Sequence, residues 1–185
     1  VAIPEQRWAS CLLRCQMLAV QRRPVPDLDD DQFLMEVSSV GVCGSDVHFW
    51  HDGALGDWVV HEPLVLGHES GGRIVKTGAT VPPDRVGQRV SIEPRRPDAI
   101  SSESMSGRYN LDPRMRFYAT PGVDGAFAQY VAIQAHFAWP IPDSISDDAA
   151  ALLEPLSVAI ATARKGNFTV GSRVLIAGAG PIGII

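Results

Sequence analysis

The chain has 185 residues, of which 45 % are apolar and 20 % charged, and its net charge is −5. That length suffices for one large domain, or one domain and part of another, built on a real hydrophobic core. Mild acidity argues against nucleic acid or an anionic membrane as partner, and short basic pairs such as Arg22-Arg23 and Arg95-Arg96 do not reverse it.

Three cysteines, Cys11, Cys15 and Cys43, are too few for a disulfide scaffold and fit a reducing compartment. Glu5 and Arg7 interrupt any signal-peptide core near the start, and no apolar run approaches the roughly 20 residues that span a bilayer. The expectation is a soluble, cytoplasmic protein.

In chain order, Cys11–Val20 reads as one strand on which Cys11 and Cys15 share a buried face, and Arg22–Asp31 as a solvated turn. Gln32–Val42 alternates, with Phe33, Met35 and Val37 on one face and Leu34, Glu36 and Ser38 on the other, the period of a half-buried strand. It delivers Cys43, and Ser45–Trp50 is expected to form one helical turn. Pro63–Leu66 is short and apolar. Gly71–Thr77, Gln88–Ile92, Ala126–Ile133 and Phe137–Ile141 read as further strands, with a polar irregular lobe over 94–113. Many short strands between turn signals suggest a barrel-like β domain to about residue 145.

The pattern then becomes helical. Ser146 is a good N-cap, Asp147 and Asp148 suit the first turn, and Asp147–Arg164 carries Ala and Leu at helical spacing. Pro155 is expected to kink or restart that helix, which puts Glu154 at the break among apolar neighbours. Arg173–Ala177 reads as a strand, followed at once by Gly178-Ala179-Gly180-Pro181-Ile182-Gly183. This G-x-G-x-x-G pattern is a candidate dinucleotide loop, whose glycines permit a tight turn and close approach to a pyrophosphate.

Cys43, His68 and Glu69 are candidate metal ligands: a thiolate, an imidazole and a carboxylate suit zinc, and three protein ligands leave a tetrahedral position open for chemistry. The alternative is a buried cysteine and a surface His-Glu pair, since the spacing matches no local zinc motif.

Gly-Val-Cys43-Gly-Ser45-Asp46-Val-His48, Gly67-His68-Glu69, Gly87-Gln-Arg-Val, Gly107-Arg-Tyr-Asn, Leu-Leu-Glu154-Pro155-Leu-Ser157 and the glycine loop follow one another in a single order. Together they closely resemble the zinc-dependent medium-chain dehydrogenases, within them the sorbitol/xylitol (polyol) branch. The resemblance implies a mainly β fold with α: a GroES-like, partly open β-barrel catalytic domain over 1–146, then a connecting helix and the first strand and glycine turn of a Rossmann domain over 147–185. It implies hydride transfer between a polyol or secondary alcohol and NAD. Other zinc alcohol dehydrogenases of the family, including the threonine type, and a non-catalytic zinc-binding module remain alternatives.

Residue by residue, the resemblance makes Cys43, His68 and Glu69 ligands of one catalytic zinc. Glu154 becomes a fourth ligand or the holder of the zinc-bound water, Ser45 and His48 a proton relay, and Phe49 and Phe117 substrate wall. Gly178, Gly180, Pro181, Ile182 and Gly183 become the NAD loop. Many relatives hold a structural zinc on four cysteines in the lobe. Here Asp98, Ser101, Ser104 and Asp112 stand at those places, so no structural zinc is expected. A homo-oligomer is implied at full length. The nucleotide domain is only begun by Ile185, so the expectation is a catalytic half that binds zinc and turns over little alone.

Overall fold

The computed structural model describes residues 2–185; Val1, at the start of the expected first domain, lies outside them. The first expected strand is a hairpin. β1 (Gln6–Arg14) turns at Cys15-Gln16 into β2 (Met17–Pro24), with Gln16 at φ 59°. Cys11 is therefore buried in β1 while Cys15 sits exposed in the turn, and the two do not share a face. β3 (Gln32–Gly41) leads into α1 (Gly44–Asp52), about two and a half turns where one was expected. Gly53, at φ +70°, closes α1 by donating its N–H to Phe49 O.

Two minimal strands, β4 (Ala54–Leu55) and β5 (Trp58–Val59), make a small hairpin, followed by β6 (Leu64–Val65). β7 (Glu69–Thr77) and β8 (Arg89–Ile92) come next. The lobe contains β9 (Arg95–Arg96), the single-turn α2 (Ser102–Met105) and β10 (Arg116–Phe117), which pairs with β9. β11 (Tyr130–Gln134) and β12 (Ala138–Pro140) complete the strands.

The main sheet is antiparallel, in the order β11-β3-β7-β8-β12; β2-β1-β6 forms a second sheet. The ladders do not close into a barrel, and the isolated Ala9–Ala128 bridge ties the second sheet to the segment before β11. β3 lies inside the main sheet, between β11 and β7, and Phe33, Leu34 and Met35 are all buried. Tertiary covering on both faces overrides the period-two pattern there. The largest core cluster packs Phe33, Met35, Ile74, Val90, Ile92 and Ile133. Buried Arg7 pairs with Asp124 at 3.6 Å and donates to Tyr130 O, so its charge is matched across the two sheets.

α3 (Asp147–Ala151) starts as expected, with Ser146 Oγ accepting from Ala149 N. The break comes at Leu152, before the proline, and α4 (Leu153–Lys165) carries Pro155 in its first turn. There the missing N–H costs nothing, because first-turn donors have no helical acceptor. Residues 173–177 are not a strand: they are exposed, with no neighbouring ladder to accept their backbone groups. α5 (Pro181–Ile184) follows as a single turn. Among the described residues, no helix is long and apolar enough to cross a membrane.

Gly72 of β7 faces Glu36 of β3 so closely that a Cβ would overlap the Glu36 carbonyl oxygen and meet Met35 Cγ at 3.0 Å. Gly72→Ala should therefore part the central ladder and destabilise the chain by about 2–3 kcal/mol, the usual range for overpacking. Urea unfolding checks this.

Candidate metal centre

The first ligand stands at a strand–helix junction. β3 ends at Gly41, and Cys43 takes the N-cap position of α1. The next ligands stand where β7 begins: Gly67 turns at φ +87°, His68 follows, and Glu69 opens the strand. Gly67 also has no room for a side chain, because a Cβ would overlap the Phe127 ring.

One carboxylate joins the two ligand segments. Asp46, 3 % exposed, accepts the Cys43 N–H on Oδ2 and the Gly67 N–H on Oδ1, both at 2.9 Å. The same Oδ1 lies 3.9 Å from His68 Nδ1, an electrostatic contact beyond hydrogen-bond length. On the other side, the Phe117 ring meets the His68 ring edge-on at 5.4 Å.

The outcome is a cluster. The Cys43 sulfur, a His68 ring nitrogen and a Glu69 carboxylate oxygen lie within 4.8 Å of one another, the one such group among the described residues. His68 and Glu69 are buried and Cys43 is half-buried, so the alternative of a surface His-Glu pair falls. Room for the carboxylate comes from Gly41, where a Cβ would overlap Glu69 Oε2. A soft thiolate, an imidazole and a carboxylate held this close are a donor set that zinc fits.

Burial pushes the Cys43 thiol up. Hydrogen bonds from the Ser45 side chain and backbone pull it down, and the neighbouring Glu69 carboxylate adds to the rise. A cation at this point would reverse the balance and favour the thiolate.

The other expected site residues distribute unevenly. Glu154 is half-buried on α4 and outside the 4.8 Å cluster. Burial raises its pKa above the ordinary 4.5; His68 counters this, Glu69 adds to it, Arg95 counters and Glu93 adds. It therefore shares the electrostatics of the cluster without joining its ligand atoms. His48 points its Nδ1 at Asp52 Oδ2, 3.2 Å away on the exposed face of α1, and His51 shares the same carboxylate at 2.6 Å. Phe49 is a core residue. It is 1 % exposed and packed on Leu12, Leu64 and Leu66, because the inner face of α1 must cover the second sheet. Gly178 adopts φ +116°, and a Cβ on Gly183 would overlap the Gly178 carbonyl, so the glycine pattern does fold back on itself.

Sequence reasoning missed Asp46 as an organiser. Its signal was present: an acidic residue three positions after an N-cap is half of a reciprocal capping arrangement. Sequence reasoning also did not single out Arg95 and Trp139, which stand with Glu154 around one cavity.

The alcohol dehydrogenase GroES-like domain family matches residues 29–143. The chain belongs to that family. Among curated relatives, sorbitol dehydrogenase from Gallus gallus is 42 % identical over 185 residues, covering 100 % of this chain and 52 % of its own length. Sorbitol dehydrogenase from Bacillus subtilis is 40 % identical over 183 residues, with coverages of 99 % and 52 %. Among solved structures, L-idonate 5-dehydrogenase from Escherichia coli superposes with TM-score 0.88 at 29 % identity, over 96 % of this chain and 52 % of that one. An alcohol dehydrogenase from E. coli CFT073 complexed with NADH does so with TM-score 0.88 at 28 % identity, over 98 % and 52 %. The chain spans about half the length of the curated relatives it matches.

Two outcomes test the site. Asp46→Asn loses one of two backbone acceptors and should weaken zinc binding by about 10–100-fold, as read by competition with a chromophoric chelator. Glu154 has a raised folded pKa, so its protonated form contributes stability below pH ~4.5 that is lost as pH rises through the folded value. Glu154→Gln should therefore raise the melting temperature of the metal-free chain at pH 7, with the gain vanishing below pH ~4.5.

Proposed function

We propose that the chain is the catalytic half of a zinc- and NAD-dependent polyol or secondary-alcohol dehydrogenase, with 1–146 as its catalytic domain and 147–185 as the connection to a nucleotide-binding domain. The observation that carries the reading is the Cys43–His68–Glu69 cluster, held in a member of the alcohol dehydrogenase GroES-like family. Sorbitol dehydrogenases among its relatives and an NADH-complexed structural neighbour support the substrate class and the cofactor.

Cys43, His68 and Glu69 would hold one zinc ion, which supplies Lewis acidity towards an alcohol oxygen when bound. NAD supplies hydride acceptance, and the glycine pattern at 178–183 would meet it. Ser45 can pass a proton, because a hydroxyl both donates and accepts, and its influence on the Cys43 thiol supports a position near the cluster. His48, with Nδ1 held by Asp52, presents Nε2 as the outer proton acceptor. Phe117, edge-on to His68, would wall the substrate side. The half-buried Glu154 carboxyl would hold the water or hydroxyl that approaches the cluster.

In the lobe, Asp112 accepts from Asp98 N at 2.5 Å, the Ser101 and Ser104 hydroxyls bond at 2.9 Å, and Arg114 pairs with Asp98. Side chains satisfied by one another need no structural metal. Cytoplasmic location fits three free thiols, and homo-oligomerisation of the full-length protein is part of the same proposal. No nucleic acid or membrane takes part in it.

Metal analysis should find one zinc ion per chain, and none after Cys43→Ala; two tightly held ions would overturn the single-site reading. NADH formation from xylitol or sorbitol at an ordinary enzyme rate by the 185-residue chain would overturn its assignment as a half.

A further inference from the structure

His48 is not alone on the exposed face of α1. Asp52 stands one turn further on and His51 beside it, and all three are exposed. The Asp52 carboxylate is divided between the two imidazoles: Oδ2 lies 3.2 Å from His48 Nδ1, and Oδ1 lies 2.6 Å from His51 Nδ1. Hydrogen bonds from His51 first, and from His48 second, hold the Asp52 carboxyl below the ordinary carboxylate range. An ionised carboxylate only accepts, so each neutral ring carries its proton on Nδ1 and keeps a free lone pair on Nε2.

The end of the helix that carries this trio is anchored. Cys15 Sγ donates to His51 O at 2.7 Å and Gln16 N to Trp50 O at 2.6 Å, so the β1–β2 turn grips the last turn of α1. The Trp50 ring stands 6.3 Å from the His51 ring. Neighbouring elements bring no rival for the carboxylate. β4, packed on α1, contains only Ala54 and Leu55. The Cys15 thiol is committed to a carbonyl, and Arg14 Nε turns to Met17 Sδ at 3.4 Å. Among the described residues, ion pairs to Asp52 come from His48 and His51 alone.

We propose that His51 is a positioning residue of the proton path: through the shared Asp52 carboxylate, its protonation state sets how firmly His48 is held in the Nδ1–H form, whose Nε2 can take a proton. This rests on the relay role given to His48 above and adds the group that controls it. One carboxylate cannot tighten on both rings at once, and the shorter contact already goes to His51. A proton on His51 makes that bond charge-assisted on both sides, and the last turn of a helix favours the cation. Asp52 then turns towards His51 and His48 keeps the weaker share. The proton that His48 accepts on Nε2 leaves to water from the same nitrogen, and its Nδ1–H stays on Asp52 throughout. The path therefore answers to two coupled imidazoles rather than one.

The test is nitrogen-15 NMR of the imidazoles in the metal-free 185-residue chain, which reads the ratio of Nδ1–H to Nε2–H forms at each ring. At about pH 8, where ordinary imidazoles are neutral, Asp52→Asn should lower that ratio at His48 about twofold or more, the scale of an exposed charged contact. His51→Ala should raise it, the opposite direction, because Asp52 is then free to close on His48. In the unsubstituted chain the His48 ring signal should also move as His51 titrates, a step that His51→Ala abolishes. All three side chains are exposed, and dispersed amide spectra establish that each variant is folded. A ratio at His48 that falls or stays unchanged in folded His51→Ala, or a His48 signal indifferent to the titration of His51, would overturn the proposal. The ring populations are read without metal, so they stand or fall apart from the zinc reading, which metal analysis decides.

Discussion

The structure around the metal-ligand cluster depends on a single carboxylate. Asp46 is bound from both sides by backbone N–H groups, one from the Cys43 segment and one from the turn before His68. Two charge-assisted hydrogen bonds in a buried place are strong, and they reinforce the β3–β7 ladder, whose Gly41–Glu69 pair already joins the same two segments. Beyond the end of that ladder, the staple ties the start of α1, which carries the thiolate, to the turn that carries the imidazole. Gly41 and Gly67 serve the same end by giving up volume: the first lets the Glu69 carboxylate fold in, the second lets the turn pass under Phe127.

A second set of contacts brings α4 and its glutamate to the site. Arg89 on β8 binds Ile145 O and Asp147 Oδ1 at 2.7 Å, and Ser91 Oγ donates to Ala150 O at 2.8 Å. Gly71 has no side chain where Ala150 comes down on the sheet. α3 is thus held against β3, β7 and β8, and α4, which carries Glu154, begins directly after it at Leu153. The glutamate's carboxyl is raised because this docking removes it from water, and the raised pKa and the position have one cause.

The lobe over 94–113 is held together by local polar contacts. Asp98, Ser101, Ser104, Asp112 and Arg114 satisfy one another locally. From the same lobe Tyr109 reaches back to Glu93, which couples its fold to the cavity beside Glu154.

Much of this was legible in the residues alone. The ligand trio, the helix cap at Ser146, the glycine loop and a mainly β first part follow from side-chain chemistry and short-range period, which act locally. Other features needed the third dimension. Cys11 and Cys15 parted because a two-residue turn ended the strand between them. Phe49, chemically suited to a pocket wall, is core because the inner face of α1 covers the second sheet. Residues 173–177 have strand-like composition, yet a strand exists only through a partner's hydrogen bonds, and no ladder lies beside them. The pairing of Arg95 and Trp139 with Glu154 was likewise invisible, since no periodicity links a sheet edge, a lobe and a helix. The sequence by itself determined which side chains could hold a metal; the β3–β7 ladder, and one carboxylate between two backbones, decided which of them meet, because only long-range pairing brings Cys43 to His68 and Glu69.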